Sequence, residues 1–202
     1  MLSAADRERV AEAVRDAERD TAAEIAVVWA GQAGGYHAVP LLWGGALALL
    51  VPWPLVAFTD LAARTIYAVQ LVAALLAIPL LAWPGRRLAL VPGPVKRRRV
   101  RDAALREFLS RGFTRTRDRL GVLVFVAQAE GHVEIVTDAG LTDRLEAGGF
   151  EGVRGTLQAA VAAGRAGEGL VEAVAEIGRV LANLAPPRPD DVDELPDKVV
   201  VI

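Results

Sequence analysis

Three carboxylates stand where a small sheet would gather them. Glu24 opens a short β-branched run, Asp118 lies just before a second apolar run, and Asp138 follows a third. If the first two runs pair in parallel, Glu24 and Asp118 enter neighbouring strands at the same end. Asp138, at the close of an antiparallel strand, returns to that end. Clustered carboxylate oxygens suit Ca²⁺ or Mg²⁺, which take hard oxygen ligands. A divalent ion held there would activate water for phosphate-ester hydrolysis. The same residue types also do plainer work: Glu24 and Asp118 pair with Arg119 or Arg117, and Asp138 caps a short helix at Leu141. His132, on the polar face of the third run, admits a general base or ligand, and equally a solvated or structurally bonded ring. His37 stands beside a long apolar stretch and reads as an interfacial residue. The chain has no cysteine, which excludes disulfides, thiolate catalysis and cysteine-based metal sites. It shows no Gly-rich phosphate loop, no Ser/His/Asp elbow and no His-based zinc motif.

The elements that must position these groups follow from periodicity. Ser3 caps a helix reaching to about Asp20, with Asp6 three residues on as a variant capping box. Glu24 to Trp29 reads as a buried strand. After Pro92-Gly93-Pro94 a helix runs from about Val95 to Asp118, striped by Val100, Ala104, Leu105, Phe108 and Leu109. Leu120 to Ala127 is a strand apolar on both faces, and a turn at Gln128 to Gly131 leads into His132 to Thr137 as its hairpin partner. Two further helices carry stripes centred on Leu157 and Ile177, and Pro186-Pro187-Arg188-Pro189 ends the last. The tail is acidic from Asp190 to Asp197 and then apolar (Val199 to Ile202), an edge-strand candidate. Strand, crossover, strand implies a parallel pair with helices over both faces of a small mixed sheet.

Between the first strand and the rest lie two uncharged runs, Ala38 to Thr59 and Thr65 to Gly85. Each is about twenty residues, the length that crosses a hydrocarbon core of roughly 30 Å. Only Asp60 to Arg64 joins them, so they predict an antiparallel transmembrane hairpin. Trp43 and Trp83 belong near one interface, Trp53 and Tyr67 near the other. Pro52 and Pro54 kink or shorten the first span, and Pro79 bends the second. Arg86, Arg87, Lys96, Arg97, Arg98, Arg99 and Arg101 follow the second span closely, whereas the short loop has one Arg and one Asp. Lys/Arg excess marks the cytoplasmic side, so both termini are expected there. The N-terminus is charged and helix-forming and does not read as a secretory signal. The expected organisation is residues 1–37 as first helix and strand, 38–85 as membrane hairpin, 86–185 as basic helix and remaining domain, and 186–202 as acidic tail.

The block Arg119 to Val126, with Ala129-Glu130-Gly131-His132-Val133-Glu134-Ile135 and Thr137-Asp138-Ala139-Gly140-Leu141, resembles the core of the TPM domain family. Ala23 to Val28 is similar to that family's first strand. Pro186 to Pro189 with Asp193-Glu194-Leu195-Pro196-Asp197 is similar to the ending of a bacterial membrane-bound branch. The resemblance implies an α/β/α sandwich. It implies for some relatives a channel-accessory role, and for plant lumenal ones acid phosphatase activity and photosystem repair. Acidic residues near this hairpin bind a divalent ion in the family, which carries over here to Asp138. Many relatives are exported domains with a terminal anchor; here the apolar helices interrupt the domain instead.

The basic run Lys96 to Arg101 is expected to meet anionic lipid headgroups, at about 1 kcal/mol per basic side chain near the surface. No stacking aromatics interleave it, so no nucleic-acid partner is expected. The expected function is thus a membrane-anchored TPM-like accessory module for another membrane protein, in the bacterial inner membrane. The alternative is a metal-dependent phosphatase-like hydrolase of the same fold.

Overall fold

The computed structural model describes residues 2–36, 38–83, 88–113, 118–146, 148–188 and 198–202. His37, Pro84, Gly85, Arg86, Arg87, Arg117 and the acidic segment 189–197 lie outside the described residues. The chain forms two compact units, Met1–Gly34 with Arg97–Ile202, and Gly35–Lys96.

The first unit is a mixed α/β domain. Helix α1 (Ala4–Glu18) precedes strand β1 (Glu24–Ala30). Helix α5 (Gly93–Ser110) leads to β2 (Gly121–Ala127) and β3 (His132–Thr137), followed by the short helix α6 (Ala139–Thr142), α7 (Glu151–Ala162), α8 (Ala166–Leu184) and β4 (Val200–Val201). The sheet order is β3-β2-β1-β4. Strands β1 and β2 are parallel with Val27 opposite Val124, β1 and β4 are parallel, and β2 and β3 are antiparallel. Nearly every residue of β1 and β2 is buried, as expected for parallel strands covered on both sides.

Alternation along the strands sorts the core into two halves. Ile25, Val27 and Trp29 join Val122, Val124 and Val126 against Val10 and Val14 of α1, Leu157 of α7, and Leu170, Val174 and Ile177 of α8. Ala26, Val28, Leu123 and Phe125 face the other way, onto Val100, Ala104 and Phe108 of α5 and onto Phe113. Phe108 and Phe113 stack with centroids 4.6 Å apart. Gly121 makes room for them, since a Cβ there would lie 2.2 Å from the Phe113 ring. Helix α5 ends eight residues before the expected Asp118. Gly112, at φ 83°, takes the left-handed conformation that stops a helix. Helix α1 packs close on α8 because Gly178 faces Ala17, whose Cβ a side chain would meet at 2.6 Å.

The N-terminus of α1 is closed by a capping box. Asp6 N–H donates to Ser3 Oγ at 3.0 Å, and the Ser3 backbone N–H donates to Asp6 Oδ2 at 3.2 Å. The Ser3 hydroxyl and then Arg9 hold the Asp6 carboxyl down, at about 2 against an ordinary 3.8. A depressed carboxyl stabilises the fold above its unfolded pKa and loses that contribution as pH falls through the folded one. The melting temperature should therefore fall between pH about 4 and about 2. Asp6→Asn should flatten that part of the profile, measured by circular dichroism; an unchanged acid limb would show that the cap carries no titration.

The second unit holds α2 (Ala38–Leu50), α3 (Pro52–Phe58) and α4 (Ala63–Ala82). Ala38–Phe58 and Ala63–Ala82 are each long and apolar enough to cross a membrane, with mean hydropathies of 1.9 and 2.1. The first uncharged run breaks at Val51, because Pro52 has no N–H to continue the ladder. Within this unit α2 meets α4 through Gly44, where a Cβ would stand 2.5 Å from Ile78, the close approach that small residues permit between apolar helices.

Candidate functional site

The sheet delivers the three carboxylates to one end. Glu24 is opposite Gly121 in the parallel register, and its N–H donates to the Leu120 carbonyl at 3.2 Å. Asp138 N–H donates to the Gly121 carbonyl at 2.9 Å, from the end of β3. Asp118 lies three residues before β2. The backbone placement is thus the expected one.

The side chains are otherwise engaged. Asp138 is the N-cap of α6: its Oδ1 accepts from Ala139 N–H at 2.6 Å and meets the Arg119 guanidinium at 2.8 Å. Its side chain is 2% exposed, and Oδ2 is buried with no hydrogen-bond partner among the described residues. Asp118 pairs with Arg188, not with Arg119. Among the described residues no group of three or more His, Asp or Glu side chains comes together to hold a metal. Glu24, Asp118 and Asp138 thus share a sheet end without forming such a group. Asp118 and Asp138 each hold an arginine instead.

Arg119 thus meets Asp138 where Glu24 or Asp118 was expected as its partner, and Arg188 was not an expected partner at all. Arg188 belongs to the proline-rich segment after α8, and Ala185 beside it is tied back to the start of β1. Thr21 Oγ1 donates to the Ala185 carbonyl at 2.7 Å, and Ala22 N–H to the same oxygen at 2.9 Å. Arg119 sits at φ 56°, an uncommon conformation for a residue with a Cβ. Its carbonyl accepts from Gly140 N–H at 3.1 Å. Gly140 is required there because a Cβ would fall 2.4 Å from the Asp118 carbonyl oxygen and 2.6 Å from that of Arg119. The Thr137-Asp138-Ala139-Gly140-Leu141 stretch is therefore a knot between β3 and the strand-entering turn of β2. A glycine two residues after a capping Asp was the available signal.

The opposite sheet end is also polar. Glu130, buried in the hairpin turn, accepts from Ala33 N–H at 3.0 Å, and Gln128 Oε1 accepts from the Trp29 indole at 3.3 Å. These bonds fix the chain as it leaves β1. His132 lies opposite Ala127 on the outer strand, half-buried. Beside β3, a cleft of about 260 Å³ is bordered by Thr137, Thr142, Glu146, Phe150 and Arg154. Arg154 there is committed to Glu151. Burial pushes the nearby Glu134 carboxyl up, opposed by Arg101 and Arg154. A groove of about 610 Å³ runs between α7 and α8 over Val153, Leu157 and Val180. Neither opening is lined by Glu24, Asp118 or Asp138.

The fold and the site define a mixed α/β domain whose sequence carries two long apolar helices between its central parallel strands. No family model matches the chain, and no curated protein matches it. Among solved structures it is similar to the NMR structure of BA42 protein from the psychrophilic bacterium Bizionia argentinensis, at a TM-score of 0.62 and 20% identity, over 100% of this chain and 96% of that one. Similarity at that identity speaks for the fold alone.

Proposed function

We propose that this chain is a membrane-anchored TPM-like domain that serves as an accessory module for other proteins of the same membrane. Its α/β unit is an α/β/α sandwich, and its apolar helices form a transmembrane hairpin in the bacterial inner membrane. One observation carries the reading: helix α4 buries none of its residues within the protein. Around the helices Phe58 is 85% exposed, Trp53 77% and Leu76 68%. A core helix of a soluble domain buries one face, and apolar surface this extensive demands a partner. A hydrocarbon layer covers the sides that face away from α2. The basic run after α4 supports a cytoplasmic side for the α/β unit and both termini.

The chain lacks native cysteine, so single introduced ones report topology cleanly. Ala62→Cys in intact cells should react with a membrane-impermeant thiol reagent, and Ala166→Cys only after lysis. The reverse pattern would invert the topology, and equal labelling of both would remove the span. A photo-reactive residue at Leu76 in the same cells should give a discrete protein adduct. Adducts with lipid alone would leave the anchor and remove the accessory role.

A further inference from the structure

We infer that the outward face of α5 lies on an anionic lipid leaflet, as a second membrane contact beside the hairpin. The inference rests on the reading that the hairpin spans a bilayer. Helix α5 turns Val100, Ala103, Ala104 and Phe108 inward. On its other side Arg98, Arg101, Leu105 and Leu109 recur at intervals of three and four, one exposed stripe. Leu109 is 62% exposed and Leu105 40%. Exposed leucines in line with arginines are what an interfacial helix needs: the apolar tips enter the acyl boundary while the guanidiniums stay with the headgroups.

The charge of the helix is net positive to match. Lys96, Arg97, Arg98, Arg99, Arg101 and Arg106 share the helix with the carboxylates of Asp102 and Glu107. Glu107 is paired with Arg111 at 3.0 Å. Arg101 meets Glu134 only at 4.0 Å and remains 70% exposed. The occupant must therefore be negative and apolar together, over the length of a helix. A nucleic acid would supply the charge, but its bases stack on aromatic rings, and the aromatic of α5, Phe108, is buried. A bilayer leaflet with anionic headgroups supplies both. The tether is short as well: α4 ends at Ala82 and α5 begins at Gly93. Residues 83–92 reach at most about 40 Å when extended, which bounds how far α5 can lie from the end of α4.

The test uses the full chain in vesicles, with an environment-sensitive fluorophore on Leu109→Cys or, separately, on Leu76→Cys. Vesicles are phosphatidylcholine alone or phosphatidylcholine with phosphatidylglycerol. Iodide in the water and brominated acyl chains report from the two sides. In phosphatidylglycerol vesicles the Leu109 probe should lose several-fold in iodide quenching and gain quenching by brominated lipid. High salt, or Arg98→Gln with Arg101→Gln, should reverse both changes. The Leu76 probe should be shielded from iodide in either lipid. Equal iodide quenching of the Leu109 probe in both lipids, with Leu76 shielded, would overturn the α5 contact while sparing the hairpin. Free quenching of Leu76 would overturn the membrane reading and this inference with it. Shielding of Leu109 by a single-stranded RNA oligomer, but not by phosphatidylglycerol, would assign the face to nucleic acid and overturn the lipid contact.

Discussion

Val27→Asp should unfold the α/β unit while leaving the apolar helices helical. Val27 is 2% exposed in the middle of β1, opposite Val124, and packs into the core beneath α1 and α8. Among the described residues no Lys or Arg is buried. A carboxylate placed there either stays charged without a partner or takes up a proton at high cost. Uncompensated buried charges destabilise by about 3–5 kcal/mol, a large share of the roughly 5–15 kcal/mol that holds a domain. Strand β1 also stands between β2 and β4, so losing it opens both central edges of the sheet. Amide exchange should show protection vanishing together across β1, β2 and α8. By the same argument a fragment of residues 97–202 should not fold with native stability. A Val27→Asp chain that melts with the wild type, or a stable 97–202 fragment, would show that β1 is dispensable to the sheet.

That β1 and β2 are neighbours was legible despite the long insertion between them. Two runs as apolar as Glu24 to Trp29 and Leu120 to Ala127 cannot lie at a half-wet edge, so each must be covered on both faces. The hairpin of β2 with β3 followed from the turn at Gln128 to Gly131, where Gly131 takes φ 64°. The cap at Ser3 and the break before Pro52 are local chemistry and could be read locally. The end of α5 was misplaced because its apolar stripe fades gradually, while the stop comes from one residue, Gly112, in a run of arginines and threonines. Local pattern weighs such a glycine lightly.

The candidate site was legible in its backbone and not in its side chains. Strand direction alone brings Glu24, Asp118 and Asp138 to one sheet end. Which cation each carboxylate meets depends on where separate segments return. Arg188 reaches Asp118 because Ala185 is bound at the start of β1, a contact with no sequence period behind it. Arg119 reaches Asp138 because its own backbone is turned to φ 56° above Gly140. Alternation predicts the opposite of a left-handed residue there. Ion-pair choice is thus set by tertiary geometry that sequence spacing does not encode, and it decides whether three acids form a metal site or three separate anchors.

Arg119→Gln should destabilise the domain more than Asp138→Asn, and the double variant should resemble Asp138→Asn alone. The Asp138 carboxylate is buried while Arg119 is half-exposed, its side chain 51% accessible. Removing the guanidinium leaves a buried negative charge with the Ala139 N–H as its remaining donor. The cost should be about 2–3 kcal/mol, below that of a fully buried pair because water reaches the arginine. Asp138→Asn removes the charge itself. Its amide oxygen can keep the bond to Ala139, and Arg119 rehydrates where it stands, so about 1 kcal/mol is expected. The strong non-additivity is what a direct contact produces. Arg119→Gly should be milder than Arg119→Ala by about 1 kcal/mol, because glycine adopts φ 56° without strain. Urea unfolding of the variants measures all of this. The same proteins decide the chemistry. A divalent ion at Asp138 would have to displace Arg119, so a true ligand site should bind Ca²⁺ more tightly in Arg119→Gln and lose it in Asp138→Asn. For an accessory module, Ca²⁺ and Mg²⁺ should leave the wild-type unfolding midpoint unchanged, and phosphate release should not exceed a catalyst-free blank. A calcium-dependent rise in wild type that Asp138→Asn abolishes would show an ion site at Asp138, with Arg119 a gate over the carboxylate rather than its permanent partner, and phosphate release lost in the same variant would favour the hydrolase.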